Sequence, residues 1–221
     1  MKHLLYILLL ITVPYLVNSQ IVEGVITYDI TVVEISNEKE LTAGQKPTLE
    51  YTFRDNLSKI VSDHPTQGFT VYSNEEENII LLESMGQKNA YIANSIEYDQ
   101  FFGKDMNADI RVDKTKERVI LGYPCSYYSV NFEDGSVMNI YYTTEIIPHT
   151  KSFPFNIKES RGFPLYIEIT KNNIITTYTA SEINEIPEEG GEFFRFSIPE
   201  DYIIGDISLM MKMKNAFDNQ N

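Results

Sequence analysis

This chain of 221 residues contains one cysteine, Cys125, and no tryptophan. A single cysteine cannot form a disulfide within the chain, so stability has to come from a hydrophobic core rather than from covalent cross-links. Cys125 lies in a tyrosine-rich run that opens an alternating segment. We therefore expect a buried, unreactive thiol there, rather than a nucleophile or an intermolecular link.

Positive charge is also scarce. The chain has 18 Lys and Arg against 32 Asp and Glu, a formal net charge of −14. A surface of that charge repels phosphate backbones and anionic lipid head groups. Nucleic acid and anionic lipid head groups are therefore not expected partners.

The residue patterns of common catalytic and metal sites are missing. The sequence has no nucleophile elbow and no glycine-rich phosphate loop, and His64 and His149 have no neighbouring His or Cys at ligand spacing. The D-x-N-x-D run at 105–109 imitates the start of a calcium loop, but Ile110 stands where that loop requires glycine. We expect no metal, no cofactor and no enzymatic activity. A hydrolase built on two carboxylates remains the catalytic alternative.

Long apolar runs are absent after the N-terminus. Lys2 and His3 precede an apolar run at 4–16, and compact residues follow at 17–19. This order is typical of a secretory signal peptide over residues 1–19, predicted to be cleaved after Ser19. No run approaches the roughly 20 residues that cross a bilayer. We expect an exported protein, periplasmic or extracellular, without a membrane span.

The abundant feature is period-two alternation of Tyr, Phe, Ile, Val and Thr, which is typical of antiparallel strands. The predicted strands fall between 24 and 94 and between 117 and 198, the last of them over 193–198. The stretch between the two groups is expected to be irregular apart from a short helix at 96–106. Tight turns are predicted at Asp134-Gly135 and at 171–173.

The C-terminal residues are predicted to be helical over 207–217, with Asp206 as the N-cap. No linker rich in Gly, Ser or Pro divides the preceding chain. We therefore predict one domain over 20–205, followed by a helical tail over 206–221.

Five short motifs occur in order in the second half of the chain. They are residues 122–128 (GYPCSYY), 140–145 (IYYTTE), 162–169 (GFPLYIEI), 179–183 (TASEI) and 196–202 (FSIPEDY). Together they resemble the exported half-barrel proteins of Gram-negative bacteria that are related to the lipoprotein carriers LolA and LolB.

The resemblance implies a mainly β fold, a LolA-like half-barrel. Such a fold is a strongly curved antiparallel sheet of about ten or eleven strands, with a few short helices covering its concave side and an apolar cavity beneath them. In the carriers that cavity holds acyl chains. The chain has no obvious basic residue on a cavity-edge motif, so carrier activity itself is not implied.

Two functions follow from these observations. The first is a periplasmic binding protein for a lipid, an acyl chain or another hydrophobic ligand. The second is a structural or protein-interaction module of the cell envelope with a filled core. The candidate cavity-lining residues are Ile26, Tyr28, Ile30, Leu165, Ile167, Ile169, Tyr178 and Phe196. A filled core would use the same side chains, so alternation alone does not separate the two functions.

Overall fold

The fold was analysed in a computed structural model, which describes residues 20–36, 39–40, 46–63, 67–102, 108–150, 152–155, 162–186, 194 and 196–218. The predicted signal peptide lies outside these residues. The strands before the first helix are β1 Gly24–Glu34, β2 Lys39–Glu40, β3 Thr48–Arg54, β4 Leu57–Asp63, β5 Gln67–Ser73, β6 Asn78–Ser84 and β7 Gln87–Ala93. The later elements are α1 Ser95–Phe101, β8 Ala108–Ile120, β9 Tyr123–Phe132, β10 Val137–Thr143, β11 Phe163–Lys171, β12 Ile174–Asn184, β13 Ile203–Ile204 and α2 Ile207–Asp218.

All these strands belong to one sheet, in the order β13-β7-β6-β5-β4-β3-β1-β12-β11-β10-β9-β8, with β2 paired to β1. The pairings are antiparallel except for β13, which lies parallel to β7. Two meanders, β3–β7 and β8–β12, therefore flank the central strand β1. The mainly β, antiparallel fold is confirmed, and within the described residues 11 of the strands have seven or more residues.

Tight turns join neighbouring strands of the meanders. Met85-Gly86, Leu121-Gly122 and Asn172-Asn173 each form a two-residue loop in which both φ angles are positive. That backbone matches the right-handed twist of the flanking strands. The turn predicted at 171–173 is confirmed, as is the hairpin turn at Asp134-Gly135, where Gly135 has φ 80°.

The main core is aromatic at its centre. Tyr51 on β3 stacks on Phe163 of β11 with ring centroids 5.5 Å apart, and Phe153 packs against both rings. The Tyr28 hydroxyl on β1 donates a hydrogen bond of 2.6 Å to the Pro164 carbonyl oxygen. These contacts join strands from both meanders.

A smaller apolar cluster covers the opposite face of the sheet. Ile80 on β6 belongs to the main core, whereas its neighbours Ile79 and Leu81 belong to the smaller cluster, because successive side chains of a strand point to opposite faces. Phe196 and Tyr202, from the segment that leads to β13, pack on this cluster. The sheet is therefore covered by apolar side chains on both faces in this region.

Both helices pack on the main-core face. Asn94 caps α1 by accepting hydrogen bonds from the backbone N–H groups of Ile96 and Glu97, and the Glu97 carboxylate accepts from the Asn94 N–H in return. Tyr98 of α1 and Ile207 of α2 are buried in the main core. The helix predicted at 96–106 is thus α1, which ends at Phe101, and residues 103–107 lie outside the described part of the chain.

The helix predicted at 207–217 is α2. The Asp206 carboxylate accepts a hydrogen bond from the Ser208 N–H at 2.8 Å, which confirms the predicted N-cap. Met210 and Met211 pack against the main core.

Two strand predictions were wrong. The stretch before Glu117, predicted to be irregular, belongs to β8, which begins at Ala108. Most of β8 is exposed and it is the last strand of the sheet, so its sequence shows no apolar alternation. The strand predicted over 193–198 is not found in its described residues, where Phe194 lies in a turn and residues 196–198 form no strand before Pro199.

Candidate functional site

A pocket of about 330 Å³ opens on the main-core face between the two meanders. Its apolar lining consists of Leu49, Phe69, Phe102, Phe132, Met138, Pro154, Phe155, Ile169 and Tyr178, and its polar lining of Ser62, Asp134, Ser136 and Lys171. Binding pockets for small molecules typically measure about 300–1,000 Å³ and are mostly apolar with a few polar groups. This pocket has the size and the lining of such a site.

Strands that are remote in the sheet order supply the walls. Phe69 lies on β5 and Met138 on β10, and β4, β3, β1, β12 and β11 lie between those two strands. At about 4.8 Å per strand, β5 and β10 would be roughly 29 Å apart in a flat sheet. Both nevertheless line a pocket of about 330 Å³. Residues from both meanders therefore line the same pocket.

The inner wall of the pocket is aromatic. Phe155 lies against Tyr178 of β12, with ring centroids 4.6 Å apart, and also contacts Phe153 at 5.5 Å. Burial raises the pKa of Tyr178 to about 12, so its hydroxyl stays neutral at physiological pH. The inner wall presents no charge to a ligand.

The charged groups of the pocket lie together, with Asp134 in the turn between β9 and β10 and Lys171 at the end of β11. Lys171 Nζ is 3.1 Å from Asp134 Oδ2, and the Ser136 hydroxyl and backbone N–H donate to Asp134 Oδ1 at 2.5 and 2.9 Å. The side-chain hydrogen bond from Ser136 is the main cause that lowers the pKa of Asp134 to about 2, followed by its backbone hydrogen bond. Asp134 is therefore a carboxylate at neutral pH.

The structure separates the eight predicted lining residues into three groups. Ile26, Tyr28, Ile30, Leu165 and Ile167 are buried in the main core, at 0–6% exposure. Ile169 and Tyr178 are half-buried and line the pocket. Phe196 packs against Tyr72, with centroids 5.9 Å apart, in the cluster on the opposite face. The first seven are thus brought together on one face, and Phe196 is not.

Sequence reasoning did not identify the charged residues of the pocket. One signal could have found them. The turns β9–β10 and β11–β12 belong to one meander and are separated by two strands, so they lie at the same end of the sheet. Asp134 belongs to the first turn and Lys171 precedes the second, and both turns were predicted. Their juxtaposition follows once the four strands are known to be consecutive neighbours.

A second pocket, of about 300 Å³, is polar. Its lining includes Asn78, Tyr98, His149, Thr150 and Ser152. The Tyr98 hydroxyl donates a hydrogen bond to the Ser152 carbonyl oxygen, and the Ser152 and Thr150 hydroxyl oxygens are 2.8 Å apart. The Tyr98, Thr150 and Ser152 side chains therefore have hydrogen-bond partners within this lining.

Two other kinds of functional element are absent from the described residues. Among those residues, no cluster of three or more His, Cys, Asp or Glu side chains is arranged to hold a metal ion. No helix in the described part of the chain is sufficiently long and apolar to cross a membrane.

Comparison with known proteins gives distant structural likenesses. No protein-family model matches the chain, and no curated protein matches its sequence. An uncharacterized conserved protein of Thermus thermophilus is similar at 11% identity and a TM-score of 0.49, over 86% of this chain and 92% of that one. A chain of the Pseudomonas aeruginosa MucA/MucB complex is similar at 11% identity and a TM-score of 0.42, over 78% and 56%.

The lipoprotein LppX of Mycobacterium tuberculosis is similar at 9% identity and a TM-score of 0.29, over 72% of this chain and 86% of that one. These are distant likenesses between β folds, and they assign no function, ligand or partner to this chain. Membership of the LolA and LolB superfamily stays a prediction.

Proposed function

We propose that this chain is an exported, non-enzymatic protein that binds a hydrophobic ligand, such as a lipid or a single acyl chain, in the pocket between the two meanders. The observation that carries the proposal is the apolar, largely aromatic lining of that pocket, which remains open although the adjacent core is tightly packed. An apolar molecule that enters it exchanges water for aromatic and aliphatic contacts.

The strong curvature predicted for the sheet belongs to this proposal. A sheet that bends around its concave face brings the walls of β5 and β10 to one pocket, which a flat sheet does not. We propose that the curvature forms the pocket and that the helices limit its extent. Phe102, which follows α1, lies in the lining and supports this assignment.

The alternative is a structural or interaction module of the cell envelope with a filled core. It is favoured by the full burial of Ile26, Tyr28, Leu165 and Ile167, which leaves no space around four of the eight predicted lining residues. In that case the pocket is a surface hollow without a ligand. Both functions place the protein outside the cytoplasm. An intact-mass measurement showing that the purified protein begins at Gln20 would support export.

Binding of a neutral dye distinguishes the two functions. We expect phenylnaphthylamine to bind the purified protein saturably in the micromolar range, about −8 kcal/mol, and to raise its melting temperature. Because the chain lacks tryptophan, Ile169→Trp both fills the pocket and adds a unique fluorophore. This variant should lose dye binding while keeping its urea midpoint.

The matched control is Ile203→Trp, on the short strand β13, where the side chain is 70% exposed and does not line the pocket. It should bind the dye as the wild type does. If the wild-type protein does not bind the dye saturably, the proposed function is refuted and the filled-core alternative is favoured. The same conclusion follows if Ile169→Trp binds the dye as well as the wild type does.

A further inference from the structure

The residues that line the pocket differ in their exposure to solvent. Leu49 and Met138 are 2% and 8% exposed, whereas the Asp134 and Lys171 side chains are 33% and 49% exposed. The ion pair is therefore more exposed to solvent than these two apolar residues, and this exposed part of the lining is called the mouth of the pocket. The polar end of a ligand, if it has one, would remain beside Asp134 and Lys171 when its apolar part is buried.

Lys171 is the one cation among the described lining residues of this pocket. The protein as a whole has a formal net charge of −14, so most of its surface repels anions. A positive group at the mouth of an apolar pocket is therefore a local exception to the overall charge. It is the place in the pocket where an anionic oxygen is electrostatically acceptable.

Asp134 does not depend on Lys171 for its hydrogen bonds. Its Oδ1 accepts two hydrogen bonds from Ser136, at 2.5 and 2.9 Å, while the lysine approaches Oδ2 at 3.1 Å. An ammonium group has three N–H donors, and the contact with Asp134 uses one of them. Lys171 can therefore bind a second anionic oxygen without leaving its partner uncompensated.

We propose that the pocket selects single-chain amphiphiles with an anionic oxygen head, a carboxylate or a phosphate monoester, and that Lys171 binds this head at the mouth. This inference rests on the proposed function and adds the class of ligand. Asp134 opposes the anion by charge, so it limits the affinity, while the hydrogen bonds from Ser136 fix its position.

The test compares ligands that share one chain and differ in the head. Dodecanoic acid, dodecyl phosphate and dodecanol are used to displace phenylnaphthylamine from the wild-type protein, below their micellar concentrations. We expect the acid and the phosphate to bind about tenfold more tightly than the alcohol, the size of one charge-assisted hydrogen bond at a half-exposed site. Added salt should reduce this preference, since Lys171 is accessible to counterions.

Two variants assign the preference to the ion pair. Lys171→Met keeps the apolar stem of the side chain and removes its charge, so it should weaken binding of the acid about tenfold and leave the alcohol unchanged. Asp134→Asn keeps an oxygen for Ser136 and removes the opposing charge, so it should tighten binding of the acid. The control is Lys88→Met, which breaks a comparably exposed ion pair with Asp201, 2.8 Å long and remote from the pocket.

The outcomes separate this inference from the proposed function. If the dye and the alcohol bind but the acid and the phosphate bind no better, the head-group selection is refuted and the apolar site stands. A preference for the acid and the phosphate that persists in Lys171→Met also refutes the head-group selection. The ion pair then has only a structural role, joining two neighbouring hairpins. If neither the dye nor any of the three ligands binds, the proposed function and this inference are both refuted. A preference shown by only the acid or only the phosphate identifies which head the site takes.

Discussion

Ile167 and Ile169 lie two residues apart on β11 and point to the same face of the sheet, but their surroundings differ. Ile167 is fully buried between Ile140 and Tyr178 on the neighbouring strands. Ile169 is half-buried and lines the apolar pocket. The same truncation to alanine at the two positions therefore measures whether the interior is packed at one and open at the other.

The expected cost at Ile167 follows from its burial. Ile167→Ala removes three carbons, and at about 0.8 kcal/mol for each buried methylene the transfer free energy is about 2.4 kcal/mol. The cavity left behind raises the total to about 3–4 kcal/mol, within the range measured for such truncations. Ile169→Ala should cost about 1 kcal/mol, because the pocket already leaves part of that side chain without contacts.

Urea unfolding followed by circular dichroism or tyrosine fluorescence measures both free energies. For a domain of this length each kcal/mol corresponds to about 2–4 °C in melting temperature, so Ile167→Ala should melt roughly 6–16 °C lower than the wild type. Equal costs at the two positions would contradict the reasoning, because they would mean that Ile169 is packed as tightly as Ile167. A cost below about 1 kcal/mol at Ile167 would contradict the packed core itself.

Three further predictions concern single groups. Burial raises the pKa of the Cys125 thiol to about 11, so a thiol reagent at neutral pH should label it slowly until urea unfolds the protein, and fast native labelling would contradict its burial. A Cβ on Gly162 would overlap the Thr143 carbonyl oxygen, so Gly162→Ala should cost about 1–3 kcal/mol in urea unfolding, whereas Gly68→Ala, with its nearest atom at 3.4 Å, should be close to neutral. The pKa of Asp134 is lowered from 3.8 to about 2, so its stabilising contribution is present above about pH 4 and is lost as the pH falls towards 2. Wild-type protein should therefore lose more stability than Asp134→Asn between about pH 5 and pH 2, and equal losses would show that the Ser136 hydrogen bonds do not stabilise the fold.

Gly162 has a different physical role in the structure from the one that its local sequence indicates. In the sequence, Gly162 stands directly before Phe163-Pro164, a pattern typical of a sharp turn that glycine permits by its backbone freedom. In the structure its φ lies outside the left-handed region, and the space beside its Cα is occupied by Thr143 and the Tyr142 ring. Glycine is required at this position because two segments of backbone approach closely, and such a contact between β10 and the start of β11 cannot be found from local sequence.

Local sequence determined the antiparallel strands, most of their turns and the capped helices. Alternation, turn residues at Asp134-Gly135 and Asn172-Asn173, and the cap at Asp206 act over a few residues and are visible in the chain itself. The burial of Cys125 followed in the same way from its place in a strand. The edge strand β8 was missed because an exposed strand carries no apolar period.

The tertiary structure alone decided which apolar side chains meet. Period two shows which residues of a strand share a face, but it does not show which other strand that face will contact. The pairing of β1 with β3 and β12 joins both meanders in one sheet, and residues of both line a pocket that Ile169 and Tyr178 border and Ile167 does not. Phe196 has the same apolar character as these residues, yet the chain carries it to the opposite face. Contacts between residues so far apart in sequence depend on strand order, and strand order is fixed by the packing of the whole sheet.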